Sequence, residues 1–209
     1  MIIDHIGAAN LIYSEYLTLL SRHIGRIAFP IFAFLLAQSM IKTKNKLKLL
    51  YRLFLFAIIS EIPFDIVFRN EINFLYQTNI FYTLFLGSLA IEIYQKIPNF
   101  GLLFLIFIAF IADFVSSDFG FIGIFYIFAF YYFYDKDIEL NNFVIKSNLI
   151  VAIFGVSVLY IFYPTFFAFS LISCYFIYKH NYQLGIYNKY IKWAFYIFYP
   201  LHLVVLLFL

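Results

Sequence analysis

The sequence predicts an all-α fold, a polytopic transmembrane helix bundle of about eight to nine spans, and three observations carry that expectation. The first is composition: 65% of the 209 residues are hydrophobic and 12% charged, with a mean hydropathy of +0.93. So much apolar surface exceeds what one soluble core can enclose and calls for lipid. The second is periodic interruption, because apolar segments of spanning length recur along the whole chain. The third is the distribution of cations over the joints between those segments.

Segments long enough to span, at roughly 17 to 25 helical residues, fall near 24–41, 49–68, 78–95, 100–116, 119–134, 143–162, 164–179 and 190–209. Residues 1–23 precede them. Met1-Ile2-Ile3 is a short lead for a span centred on Asp4-His5, and 6–20 is only modestly apolar, so this part reads as a half-helix, a re-entrant piece or a surface helix. A charged leader with a small-residue cleavage site is not expected there. The run Lys42-Thr43-Lys44-Asn45-Lys46-Leu47-Lys48 is pinned between the 24–41 and 49–68 segments.

Positive residues mark the cytoplasmic side of a membrane protein. One side takes Lys42, Lys44, Lys46, Lys48, Arg52, Lys96, Lys136, Lys146, Lys179, Lys189 and Lys192, and the other takes Arg22, Arg26 and Arg69. The expectation is a multi-pass protein of a cytoplasmic membrane, lysines inside and C-terminus outside. Topology accounts for the lysines, so the net charge of +3 points to no nucleic-acid partner. Residues 1–209 read as one domain without repeats or a linker, and 136–142 reads as a freely solvated loop.

Ionisable groups at membrane depth face cavities and mark substrate or proton paths. With this orientation they collect at the outer end: Asp4, His5, Arg22, His23 and Arg26 at the start of the 24–41 span, Glu61 and Asp65 at the end of 49–68, and Asp113 and Asp118 at the end of 100–116. Glu61 and Asp65 share one helical face with Pro63 between them. They serve either a site or a structural ion pair with Arg26. Pro30 and Pro200 repeat the proline device beside Arg26 and His202, freeing a carbonyl where the helix interior lacks a donor. His202 itself reads either as a hydrogen-bonded core residue or as part of the site.

The four histidines, His5, His23, His180 and His202, show no one-turn pairing, and Cys174 is the single cysteine, so no metal site is expected. Gly-rich phosphate loops and Ser- or Cys-centred nucleophile motifs are missing as well. A His, carboxylates and an arginine at one mouth suit general-base chemistry or proton coupling.

Met1-Ile2-Ile3-Asp4-His5-Ile6-Gly7, Ile24-Gly25-Arg26-Ile27-Ala28-Phe29-Pro30, Arg52-Leu53, Ser60-Glu61-Ile62-Pro63-Phe64-Asp65 and Tyr199-Pro200-Leu201-His202 together resemble the TraX family of bacterial membrane proteins over nearly the full length. That resemblance implies a single integral-membrane acyltransferase-like domain in the bacterial inner membrane. It implies transfer of an acetyl group from cytoplasmic acetyl-CoA to a protein amine, such as a pilin N-terminus, or to a glycan hydroxyl. Members usually carry an apolar helix ahead of the Asp-His pair, whereas this sequence starts three residues before it; with such a helix the expected span count is about nine, without it about eight.

In that setting His5 is the expected general base, oriented by Glu61 or Asp65, with Asp4 beside it capping or binding backbone. Arg26, His202, His23 and Asp113 are the expected substrate contacts. Arg26 fits an acceptor carboxylate, a coenzyme A phosphate or a developing oxyanion. Two rival readings remain at this point, a proton-coupled transporter and a non-enzymatic membrane assembly factor.

Overall fold

A computed structural model of the chain describes residues 1–9, 11–72, 77–134, 138–140, 143–161, 163–180 and 188–209. Its helices are α1 (Ile2–Ala8), α2 (Glu15–Gly25), α3 (Ala28–Lys42), α4 (Lys46–Arg69), α5 (Ile80–Lys96), α6 (Pro98–Phe114), α7 (Gly120–Tyr132), α8 (Ser147–Leu159), α9 (Pro164–Lys179) and α10 (Lys189–Leu206). The one departure from an all-helical chain among the described residues is a short antiparallel hairpin. Its strands, β1 (Ile138–Leu140) and β2 (Phe143–Ile145), pair Glu139 with Val144. The hairpin replaces part of the expected 136–142 loop, and α8 therefore starts four residues later than the 143–162 segment. Lys136, counted among the inside lysines, and residues 137, 141 and 142 lie outside the described residues, as does the side chain of Lys189.

Helix starts follow local chemistry. Ser14, Asn45, Asn79 and Asn188 each accept a hydrogen bond from a first-turn amide of α2, α4, α5 and α10, and Pro98 and Pro164 occupy the first turns of α6 and α9. Pro30 is a similar case. The expected 24–41 span breaks at Arg26-Ile27, so Pro30 sits in the first turn of α3, where its missing amide costs no interior bond. Helix α4, by contrast, continues through Pro63, and α10 through Pro200.

At the centre are α3, α5 and α7, whose Phe34, Ile91, Ile124, Ile127 and Phe130 are fully buried. Gly87 lets Ile127 of α7 approach the backbone of α5, and Gly155 does the same for Tyr126 against α8, the small-residue contact that membrane helices favour. The outward faces are apolar: Phe107 is 60%, Phe110 70% and Phe154 70% exposed. A continuous coat of this kind is untenable in water. One stretch, Glu15–Lys42, is both long and apolar enough to cross a bilayer by length and composition. Helix α4 is also long, at 24 residues, but carries Arg52, Glu61 and Asp65 within it. The chain is a membrane protein.

Contacts between helix ends sort the cations. Lys46 meets Gln95, Gln38 meets Tyr134, and Lys146 donates to the Tyr178 carbonyl at 3.0 Å, gathering the lysine-bearing ends of α3, α4, α5, α7, α8 and α9. Arg22, Arg26 and Arg69 belong to the opposite end, where Asn79 meets Glu61 and Thr78 meets Val115.

Candidate active site

The arginine end is closed by α1, which packs antiparallel to α2. Gly7 lies against Ser21 and Gly25 against Asp4, and a methyl group at Gly25 would collide with the Asp4 side chain. That close approach seats Asp4 between two arginines: Arg22 Nη1 is 2.8 Å and Arg26 Nη2 3.5 Å from Asp4 Oδ1. Adjacent residues on a helix point in different directions. Asp4 therefore faces α2, while His5 faces α4 and α10.

His5 meets three rings. Phe68 and Tyr199 stand edge-on at 5.3 and 5.8 Å between centroids, and His202 stacks at 4.9 Å. His5 Nδ1 lies 2.8 Å from His202 Nε2, and His202 Nδ1 lies 3.0 Å from the Phe198 carbonyl. The carbonyl can only accept, so Nδ1 of His202 carries a proton and, in the neutral ring, Nε2 is an acceptor. His5 must then donate from Nδ1. Its Nε2 is left with a lone pair, held in one tautomer by a chain of two hydrogen bonds.

Burial pushes the His5 imidazole down to about 3, helped by His202 and by the charges of Arg22 and Arg26. The ring is neutral at physiological pH. Asp4, His5, Gly25, Arg26, Phe29, Asp118 and Phe119 share a cavity of about 30 Å³, the space of a water molecule. Phe29 and Phe119 stack along it at 3.6 Å. Arg26 lies 5.1 Å from the Phe166 ring centroid, and its Nε is buried without a hydrogen-bond partner. The larger cavity, about 460 Å³ between α6, α7 and α8, is lined by Leu105, Phe125, Phe128, Ile150 and Phe154 and contains no imidazole, carboxylate or guanidinium.

A family model described as TraX protein matches residues 1–209. The chain belongs to the TraX family. Neither the curated proteins nor the solved structures include a match to it.

The expected site residues of this TraX family protein divide into two groups. His5, Asp4, Arg26 and His202 come together at one mouth. Glu61 and Asp65 do not line that cavity: they are fully buried and hold Arg69 rather than Arg26, with Arg69 Nη2 3.6 Å from Glu61 Oε1 and in direct contact with Asp65. Glu61 also accepts from the Asn79 backbone amide at 3.0 Å and from its side chain. The orienting partner of His5 is thus an imidazole, where a carboxylate was expected. His23 donates to the Leu19 carbonyl and is packed edge-on by Phe166 and Phe169 at 4.7 and 5.1 Å, away from the His5 cavity. Asp113 is exposed at the end of α6, whereas Asp118 lines the cavity.

The histidine pairing joins residues 197 apart, and no local spacing announces it. Phe68 escaped notice, and Tyr199 entered only as the first residue of the Tyr199-Pro200-Leu201-His202 motif, because aromatic residues are common everywhere in this chain.

Proposed function

We propose that this TraX family protein is an acetyltransferase of the bacterial inner membrane, crossing it about eight times, with the lysine-bearing end in the cytoplasm and the C-terminus outside. It draws acetyl groups from cytoplasmic acetyl-CoA and passes them to an acceptor amine or hydroxyl at the outer mouth, on a pilin-like protein N-terminus or an envelope glycan. Cation asymmetry supports the orientation, and the TraX family's association with pilin acetylation supports the chemistry. The observation that carries the reading is the His5–His202 pair at 2.8 Å.

In the proposed reaction His5 Nε2 takes the proton of the acceptor N–H or O–H as the acceptor atom attacks the thioester carbonyl carbon. Positive charge arising on His5 is shared through Nδ1 with His202, so the pair carries one proton as a unit. Arg26 stabilises the negative oxygen of the tetrahedral intermediate, using donors that Asp4 leaves free. The carbon–sulfur bond then breaks, and the thiolate takes the proton from His5. Products are the acetylated acceptor and coenzyme A thiol, with both imidazoles again neutral. A cavity of about 30 Å³ is too small for an acetyl group and an acceptor together, so α1 moves outward when substrates bind.

The test uses purified protein in nanodiscs with labelled acetyl-CoA and peptide-amine and sugar acceptors. Time-dependent, enzyme-dependent appearance of the acetylated acceptor is expected. Substrate flux across vesicles without any need for acetyl-CoA would instead establish a transporter.

A further inference from the structure

Away from the His5 mouth, the parts of α4 and α10 that lead in from the lysine-bearing end hold a second concentration of unused chemistry. Arg52 has its Cζ 5.5 Å from the Tyr196 ring centroid. Its Nε is shielded from solvent without a hydrogen bond, and among the described residues it has no acidic partner. Phe56, one turn along, lies 5.2 Å from Tyr196 and 6.2 Å from Trp193. Ser60, a further turn on the same helix, is fully buried with its hydroxyl unpartnered. A guanidinium with spare donors above an aromatic platform is matched to a phosphate beside a flat heterocycle.

The same seam leads to the histidines. Tyr196 stacks on Phe81, Phe81 meets Tyr199 edge-on at 5.2 Å, and Tyr199 meets His5. Trp193 and His202 are nine residues apart on α10, a rise of about 14 Å, a distance that an extended pantetheine arm covers. Helix α10 packs chiefly on α4, with Phe81 of α5 and His5 of α1 set against its later turns.

We propose that the α4–α10 seam at the lysine-bearing end binds the phosphorylated nucleotide of an acyl-CoA thioester, with Arg52 on a phosphate and Trp193 and Tyr196 beside the base. This rests on the acetyltransferase reading above.

Trp193 is the only tryptophan, so selective excitation of the protein in nanodiscs reports this place alone. Coenzyme A should change Trp193 emission saturably, and pantetheine, which lacks the nucleotide, should not. Arg52→Gln should weaken coenzyme A binding about tenfold, the loss of one charge-assisted contact. Arg52→Lys should retain part of it, and Lys44→Gln, exposed in the basic run that precedes Arg52, should retain nearly all. Binding of labelled acetyl-CoA is measured in parallel. If wild-type protein binds it, but Trp193 is silent and Arg52→Gln binds as tightly, the donor sits elsewhere and the seam proposal fails while the acetyltransferase reading stands. If wild-type protein binds no acetyl-CoA, that reading fails and the proposal with it.

Discussion

His5 is an imidazole kept neutral by its surroundings. Folding lowers its pKa from the ordinary 6.5 to about 3, so between those values the unfolded chain binds more protons, and stability falls as pH falls through that window. NMR of the labelled imidazole should accordingly show no His5 titration between about pH 8 and pH 5; a midpoint near 6.5 would mean that the ring is hydrated. His5→Ala should lower acetyl transfer by about 10²- to 10⁴-fold, the usual contribution of a positioned base. His202→Ala should cost less, because it frees the tautomer without removing the base. Assays of purified variants with unchanged thermal unfolding check both. The sequence alone made His5, Asp4 and Arg26 conspicuous, since each is a polar residue costly to place near lipid. It did not disclose that Asp4 serves the arginines and His202 serves His5, because which side chain a helical residue faces depends on the neighbouring helix.

Among the elements, the start of α5 depends on Asn79. Its side chain accepts from the Phe81 amide at 2.9 Å, donates to the Ala57 carbonyl at 2.8 Å and also donates to Glu61, all in a fully buried position. Asn79→Ala should destabilise the protein by about 2 to 4 kcal/mol, combining a lost cap with a buried carboxylate deprived of a donor, and a thermal unfolding scan in detergent reads it. A change below about 0.5 kcal/mol would return this cluster to incidental packing. Gly25→Ala acts on another joint. The added methyl meets Asp4 and should push α1 off α2, lowering activity more than Gly87→Ala does, since a methyl at Gly87 would meet buried Ile127 between α5 and α7, away from the His5 cavity. The apolar segments were legible because span length and composition are local properties. The break at Arg26-Ile27 and the pairing of 138–140 with 143–145 were not, since neither leaves a local signal in composition or span length.

Across the whole molecule, charge divides the two ends. With Cys174→Ser as background, Lys44→Cys should resist a membrane-impermeant maleimide in intact cells and react after permeabilisation, whereas Glu71→Cys, exposed beyond α4, should react at once. The reverse pattern would invert the orientation. One consequence concerns biogenesis. Because His5 pairs with His202 across 197 residues, the contact between α1 and α10 can form only once α10 has been made and packed, so this mouth is assembled late rather than helix by helix.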